Sequence, residues 1–202
     1  MDKVEFNTDC IYDMYENMHC IVEMARNIVL NEVKDVLKDG KKLDRISKVE
    51  SRIKSYESLI EKMEHKGYEL TWNNAIEKIN DLIGIRIVCS NLNDIYDLVS
   101  LIKSDGRFEI LKEKDYIRNP KKSGYTSYHI IFEYDYKVGE LTIPIKAELQ
   151  IRTEEMDKWA NFTHDLIYKR RTQVVGWKCY NCVTEILRVY YKCDRYLKNK
   201  YK

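Results

Sequence analysis

Apolar residues recur at helical spacing from about Asp9 to Lys38, with Ile21, Met24, Ala25, Ile28 and Val29 marking the expected buried face, and no Gly or Pro interrupts the stretch. The pattern predicts one long amphipathic helix that stops at Asp39-Gly40. "LDRISKVESRIKSYESLIEKMEHKG" resumes a helical spacing that ends at Gly67, and predicts a second long helix, or a loop followed by one. A shorter helix over "TWNNAIEKIN" leads into "LIGIRIVCS", whose apolar run from Leu82 to Cys89 predicts a buried strand. "NLNDIYDLVSLIKSDG" opens on Asn, carries apolar residues at spacings of three and four and ends on Gly, so it predicts a helix joining two strands in a β-α-β unit. Further strands are predicted at Phe108 to Ile117, Ser127 to Tyr136 and Leu141 to Arg152, the last two as a hairpin turning near Val138-Gly139. From Thr153 onward the pattern is helical, with a break near Gly176. The class is α+β: a mixed sheet of four or five strands flanked by helices. No repeat, low-complexity tract or linker divides the chain, so a single domain over 1–202 is expected, with N-terminal helices at about 9–66, a sheet core at about 72–169 and a C-terminal helix at about 177–199.

Composition narrows the class without choosing a function. Apolar residues make up 44% of the 202 and charged residues 34%, too apolar for a disordered chain. The formal charge of +2 neither demands nor excludes an anionic partner, so local clustering has to decide. No apolar stretch reaches the roughly 18 to 20 residues of a membrane span, and the N-terminus lacks the apolar core of a signal peptide. A soluble cytoplasmic protein with no membrane partner is expected. The 6 cysteines are scattered and expected to be reduced; Cys179 and Cys182 form a C-x-x-C with no second pair at zinc-ribbon spacing.

Candidate chemistry lies on several segments. In "KAELQIRT" strand alternation puts Ala147, Leu149 and Ile151 on one face and Lys146, Glu148, Gln150 and Arg152 on the other, either as a solvent-facing ladder or as a binding surface. Arg86 interrupts an apolar run, and its guanidinium needs a sheet edge, a carboxylate or a bound anion. If their strands lie close together, Asp81 and Glu148 form a carboxylate pair suited to a divalent ion beside phosphates. Arg52, Ser55, Ser58 and Lys62, with Lys54 beside them, fall at helical spacings that would make a row for polyphosphate or an ordinary solvated face. In "KKSGYTSYH", Gly124 permits close backbone approach, Lys121 and Lys122 bring charge, Tyr125 a flat ring, and His129 a donor or base. Trp159, His164 and Tyr168 follow on a helix, the last two as a packed pair.

The blocks "SRIKSYESLIEK", "DLIGIRIVC", "KKSGYTSYHIIF" and "AELQIRTEEMDKWANFTHDLIYK", in that order, resemble the synthetase domain of the RelA/SpoT family, in particular its single-domain small alarmone synthetases. The resemblance covers about Arg45 to Lys169, and no hydrolase region is expected ahead of it. It implies a nucleotidyltransferase-like fold and transfer of the β,γ-pyrophosphate of ATP to the 3′-hydroxyl of a guanosine nucleotide with Mg²⁺. It further implies that Arg52 and Arg86 sandwich the adenine and that Lys54, Ser58 and Lys62 hold the ATP phosphates. By the same resemblance Asp81 binds Mg²⁺, and Glu148 binds or orients it and acts as base. Tyr125 then stacks on the acceptor base, with Lys121, His129 and Gln150 around it. Thr126 departs from the Arg or Gln common after the loop tyrosine, and some relatives are toxins that modify the 3′ end of tRNA. A tRNA acceptor is therefore the alternative to GDP or GTP, with Lys34, Lys38, Lys41, Lys42 and Arg45 available to an RNA backbone. An antitoxin protein and a homo-oligomer are further partners that such relatives suggest. A non-catalytic nucleotide- or RNA-binding module is the third reading, disfavoured because it needs neither Asp81 nor Glu148.

Overall fold

The computed structural model describes residues 8–121 and 124–162. The described chain forms two compact units, one of residues 8–114 and 128–153, the other of 115–127 and 154–162.

The first unit begins with helix α1 (Thr8–Asp39), followed by a single 3-10 turn (Leu43–Arg45) and strand β1 (Ile46–Ile53). Helices α2 (Tyr56–His65) and α3 (Trp72–Lys78) lead to strand β2 (Ile83–Cys89) and helix α4 (Leu92–Ser104). Strands β3 (Phe108–Asp115), β4 (Tyr128–Val138) and β5 (Leu141–Thr153) complete it. Among the described residues the strands make one five-stranded sheet in the order β1-β2-β5-β4-β3. β2 runs parallel to β5, while β1–β2 and β4–β5 are antiparallel, so the sheet is mixed as the sequence predicts. Pairing of Val138 with Leu141 closes the β4–β5 hairpin over two residues. The β-α-β unit is present, but α4 carries the chain from β2 across two intervening strands to the far edge.

One sheet face is the core. Ile85 and Ile87 on β2, Ala147, Leu149 and Ile151 on β5, and Ile130 and Phe132 on β4 are fully or almost fully buried. Helices α1 and α4 contact this sheet and each other, contributing Val29, Val33, Val36 and Leu37 from α1 and Ile95, Leu98 and Ile102 from α4. The expected apolar face of α1 holds at Val29, which is fully buried, but is rotated toward the N-terminal end of the stripe, where Val22 is buried and Ile21 and Met24 stand in solvent. The stripe Val22-Val29-Val33-Val36 obeys the same spacing rule, and only packing tells the two candidate stripes apart. Asn91 does start α4, yet its side chain donates to Asp94 at 3.2 Å instead of capping the backbone.

The main correction concerns residues 46–53. Where a second long helix, or a loop followed by one, is expected, an edge strand comes first, and the α-helix is confined to Tyr56–His65. Ile46 and Val49, three apart, share a face because the strand is irregular between Ile46 and Lys48, with Ile46 facing Cys89 and Val49 facing Ile87, while Val49 and Ile53, four apart, share it by ordinary alternation. An extra residue in a strand returns the next side chain to the same face, which imitates helical spacing. Arg52, Ser55, Ser58 and Lys62 consequently do not share a helix face; Arg52 lies on β1, and Ser55 caps α2 by accepting from the Ser58 N–H at 3.4 Å. Lys122, His164, Tyr168, the Cys179–Cys182 pair and the expected C-terminal helix lie outside the described residues. Among the described residues, no helix is long and apolar enough to cross a membrane.

Candidate active site

The sheet face opposite the core is charged. Register places Arg52 beside Gly84 and Gly84 beside Glu148; one step along, Glu50, Arg86, Gln150 and His129 line up across four strands. This follows from strand alternation, since the intervening residues on β2 and β5 are the buried Ile and Leu side chains. Arg86 escapes the apolar core by facing this side, where its guanidinium stands 3.7 Å from Glu50. The Arg52 side chain crosses Gly84, its Cγ 3.5 Å from where a Cβ would stand.

Asp81 lies just ahead of β2 and holds two lysines. Lys62 from α2 donates to one carboxylate oxygen at 2.7 Å, and Lys54 donates to the other at 3.1 Å. Lys54 is placed by its own backbone N–H, which bonds the Leu82 carbonyl at 2.9 Å. Burial raises the proton affinity of Asp81, but the hydrogen bond and charge of Lys62 and the charge of Lys54 outweigh it and leave the carboxyl below its ordinary range. A folded-state value lower than the unfolded one stabilises the protein above the carboxylate range, and that stability is lost as pH falls through the folded value. Asp81→Asn should therefore reduce the unfolding free energy at pH 7 by about 1 to 3 kcal/mol. The deficit should shrink when urea unfolding is repeated below about pH 4, where the wild-type carboxylate titrates as well; a pH-independent deficit would contradict the ion-pair account.

Glu148, at the middle of β5, is ringed by donors. His129 Nδ1 lies 3.0 Å from Oε1 and the Gln150 amide donates to Oε2 at 2.7 Å, while Arg152 donates to the Gln150 carbonyl oxygen at 2.6 Å. Burial pushes the Glu148 carboxyl up, the His129 and Gln150 contacts bring it below its usual range, and the charge of Asp81 works against them. Asp81 lies just ahead of β2, whose Gly84 pairs with Glu148 on β5, so the two residues that the sequence could pair only conditionally sit at adjacent strands. Arg152, which strand alternation already put on the Glu148 face and which sequence reasoning left without a role, is a member of this hydrogen-bonded set.

The second unit contains the loop ahead of β4. Asp115 accepts from the N–H groups of Ile117 and Arg118, each at 2.9 Å, and turns the chain out of β3. Within the loop, the Lys121 ammonium sits over the rings of Tyr116 and Tyr125 at 4.7 and 4.8 Å, and the rings meet edge to face at 6.1 Å. Gly124 has φ +77°, and a Cβ there would stand 3.5 Å from the Trp159 ring, so the turn before Tyr125 favours glycine. Thr126 is buried. Tyr116, absent from the sequence-based set, was legible only as one of many tyrosines.

The described strands and helices define an α+β domain, a five-stranded mixed sheet flanked by helices, whose charged face carries carboxylates amid lysines and arginines. The chain belongs to the RelA/SpoT family: the region found in RelA / SpoT proteins matches residues 51–173. It is 42% identical over 129 residues to the GTP pyrophosphokinase YwaC of Bacillus subtilis, covering 64% of this chain and 61% of that protein. It is 34% identical over 121 residues to the GTP pyrophosphokinase YjbM of the same organism, covering 60% and 56%. The matched stretch is thus less than two thirds of either relative's length. Small alarmone synthetase 2 from Bacillus subtilis superposes with a TM-score of 0.76 at 30% identity, covering 93% of this chain and 97% of that one.

Proposed function

We propose that this chain is an ATP-dependent pyrophosphokinase that makes (p)ppGpp by moving the β,γ-pyrophosphate of ATP to the 3′-hydroxyl of GDP or GTP. The observation that carries the reading is the placement of Asp81 and Glu148 at adjacent strands, the first gripped by Lys62 at 2.7 Å and Lys54 at 3.1 Å and the second met by His129 at 3.0 Å and Gln150 at 2.7 Å. The similarity to proteins named GTP pyrophosphokinase supports it.

Arg52 and Arg86 flank the adenine, and Lys54, Ser58 and Lys62 receive the ATP phosphates. Tyr125 stacks on the acceptor base, and Lys121 supplies a cation next to that ring. Glu148 takes the proton of the 3′-hydroxyl as that oxygen bonds the β-phosphorus; the bond from this phosphorus to the α,β-bridging oxygen breaks, and AMP leaves. Positioning and charge neutralisation carry such a transfer, so no protein nucleophile is needed. Carboxylate oxygens are the hard ligands Mg²⁺ prefers, so Asp81 and Glu148 are the residues that would hold the ion. Mg²⁺ would there offset the negative charge that builds on the phosphate oxygens.

Arg52→Ala should weaken ATP binding about 5- to 30-fold, the equivalent of about 1 to 2 kcal/mol, with an unchanged melting temperature. Arg86→Ala should do the same while lowering the melting temperature, because it also leaves Glu50 without that partner. Calorimetric titration with ATP beside a thermal melt separates the effects, and unchanged affinity in both variants would remove the sandwich. The acceptor is tested by incubating the protein with γ-labelled ATP and GDP, GTP or deacylated tRNA. Label is expected in the guanosine nucleotides and its transfer is expected to vanish in Tyr125→Ala; label in tRNA alone would overturn the assignment.

A further inference from the structure

We propose that Arg152 is a positioning residue: it dictates which way the Gln150 amide points and so keeps a donor aimed at Glu148. The inference rests on the reading of Glu148 as the base. Arg152 is only 4% exposed, an unusual place for a guanidinium on the functional side of a sheet. Its Nη2 donates to Gln150 Oε1 at 2.6 Å, Gln150 Nε2 donates to Glu148 Oε2 at 2.7 Å, and His129 Nδ1 meets the other Glu148 oxygen at 3.0 Å.

The polarity of this chain follows from chemistry. A guanidinium has donors and no acceptor, so the Gln150 atom facing it must be the carbonyl oxygen. The amide nitrogen is then forced toward the carboxylate, which when ionised can only accept. Removing the arginine takes away the donor that holds the amide oxygen, and an amide that then turns over would set its oxygen against the Glu148 oxygens. The spacing supports the relay: residues 148, 150 and 152 are alternate positions of one strand and share a face. Arg152 is itself anchored, since its backbone pairs beside Val88 and its carbonyl accepts from the Cys89 thiol at 3.2 Å.

Two measurements test this. In ¹⁵N NMR of the free protein, the Gln150 side-chain amide protons should exchange slowly with solvent, and at least about tenfold faster in Arg152→Met. In kinetics with ATP and GDP, Arg152→Met and Gln150→Leu should each lower kcat about 10- to 100-fold with KM for ATP unchanged. The double variant should be no slower than the slower single one, because both changes break the same relay. Unchanged amide exchange in Arg152→Met, a wild-type kcat in that variant, or losses that multiply in the double variant would each overturn the proposal. If methionine at this buried position prevents folding, the wild-type protein still decides: rapid exchange of its Gln150 amide overturns the relay, and slow exchange supports it. The exchange measurement needs no turnover, so it stands even where an active Glu148→Gln enzyme refutes the base assignment.

Discussion

Glu148→Gln should fold normally and transfer pyrophosphate about 10²- to 10⁴-fold more slowly than the wild type, the loss that follows removal of a general base. Glutamine keeps the size of the side chain and one acceptor oxygen, so the sheet and its core face are undisturbed. It presents an NH₂ group, however, where the second carboxylate oxygen stood. One of the two donors that converge on this site, His129 at 3.0 Å or Gln150 at 2.7 Å, then faces another donor. That mismatch should cost about 1 kcal/mol of stability, too little to unfold the protein. A radiolabel transfer assay together with a thermal melt reads both quantities. Near-normal turnover in a folded Glu148→Gln protein would take the base role from this residue.

Phe132→Ala should produce the largest loss of stability, about 3 to 5 kcal/mol. The side chain is fully buried on the core face of β4 and its ring lies 4.6 Å from that of Phe108, which ties β4 to the chain leaving α4. Truncation leaves a cavity against α-helical and strand neighbours that cannot all collapse into it. The charged face is on the other side of the sheet, so the folded fraction should keep its affinity for ATP. Urea unfolding and nucleotide titration on one preparation make the comparison. A loss below about 1 kcal/mol would mean that the site repacks, and weakened ATP binding in the folded fraction would mean that the two faces are coupled.

Three kinds of information were readable in the chain itself. Strands β2, β4 and β5 and helix α4 were placed nearly to the residue, because each combines a clean period with a turn or cap signal at its ends. The alternation in "KAELQIRT" also separated the core side chains from Glu148, Gln150 and Arg152, since a strand's geometry leaves no other arrangement. The ordered blocks carried the family.

Tertiary structure decided the rest. Residues 46–53 are a strand because β2 offers them a partner edge, and an irregular register lets helical-looking spacing serve a sheet; local pattern holds no trace of that partner. Which stripe of α1 is buried was likewise set by what α1 packs against, leaving Ile21 and Met24 outside. The grip of Lys54 and Lys62 on Asp81, and the relay from Arg152 through Gln150 to Glu148, depend on distances of a few ångströms. A sequence can name such donors and acceptors, but hydrogen bonding is decided by separation and direction, and those exist only once the strands have been set in register.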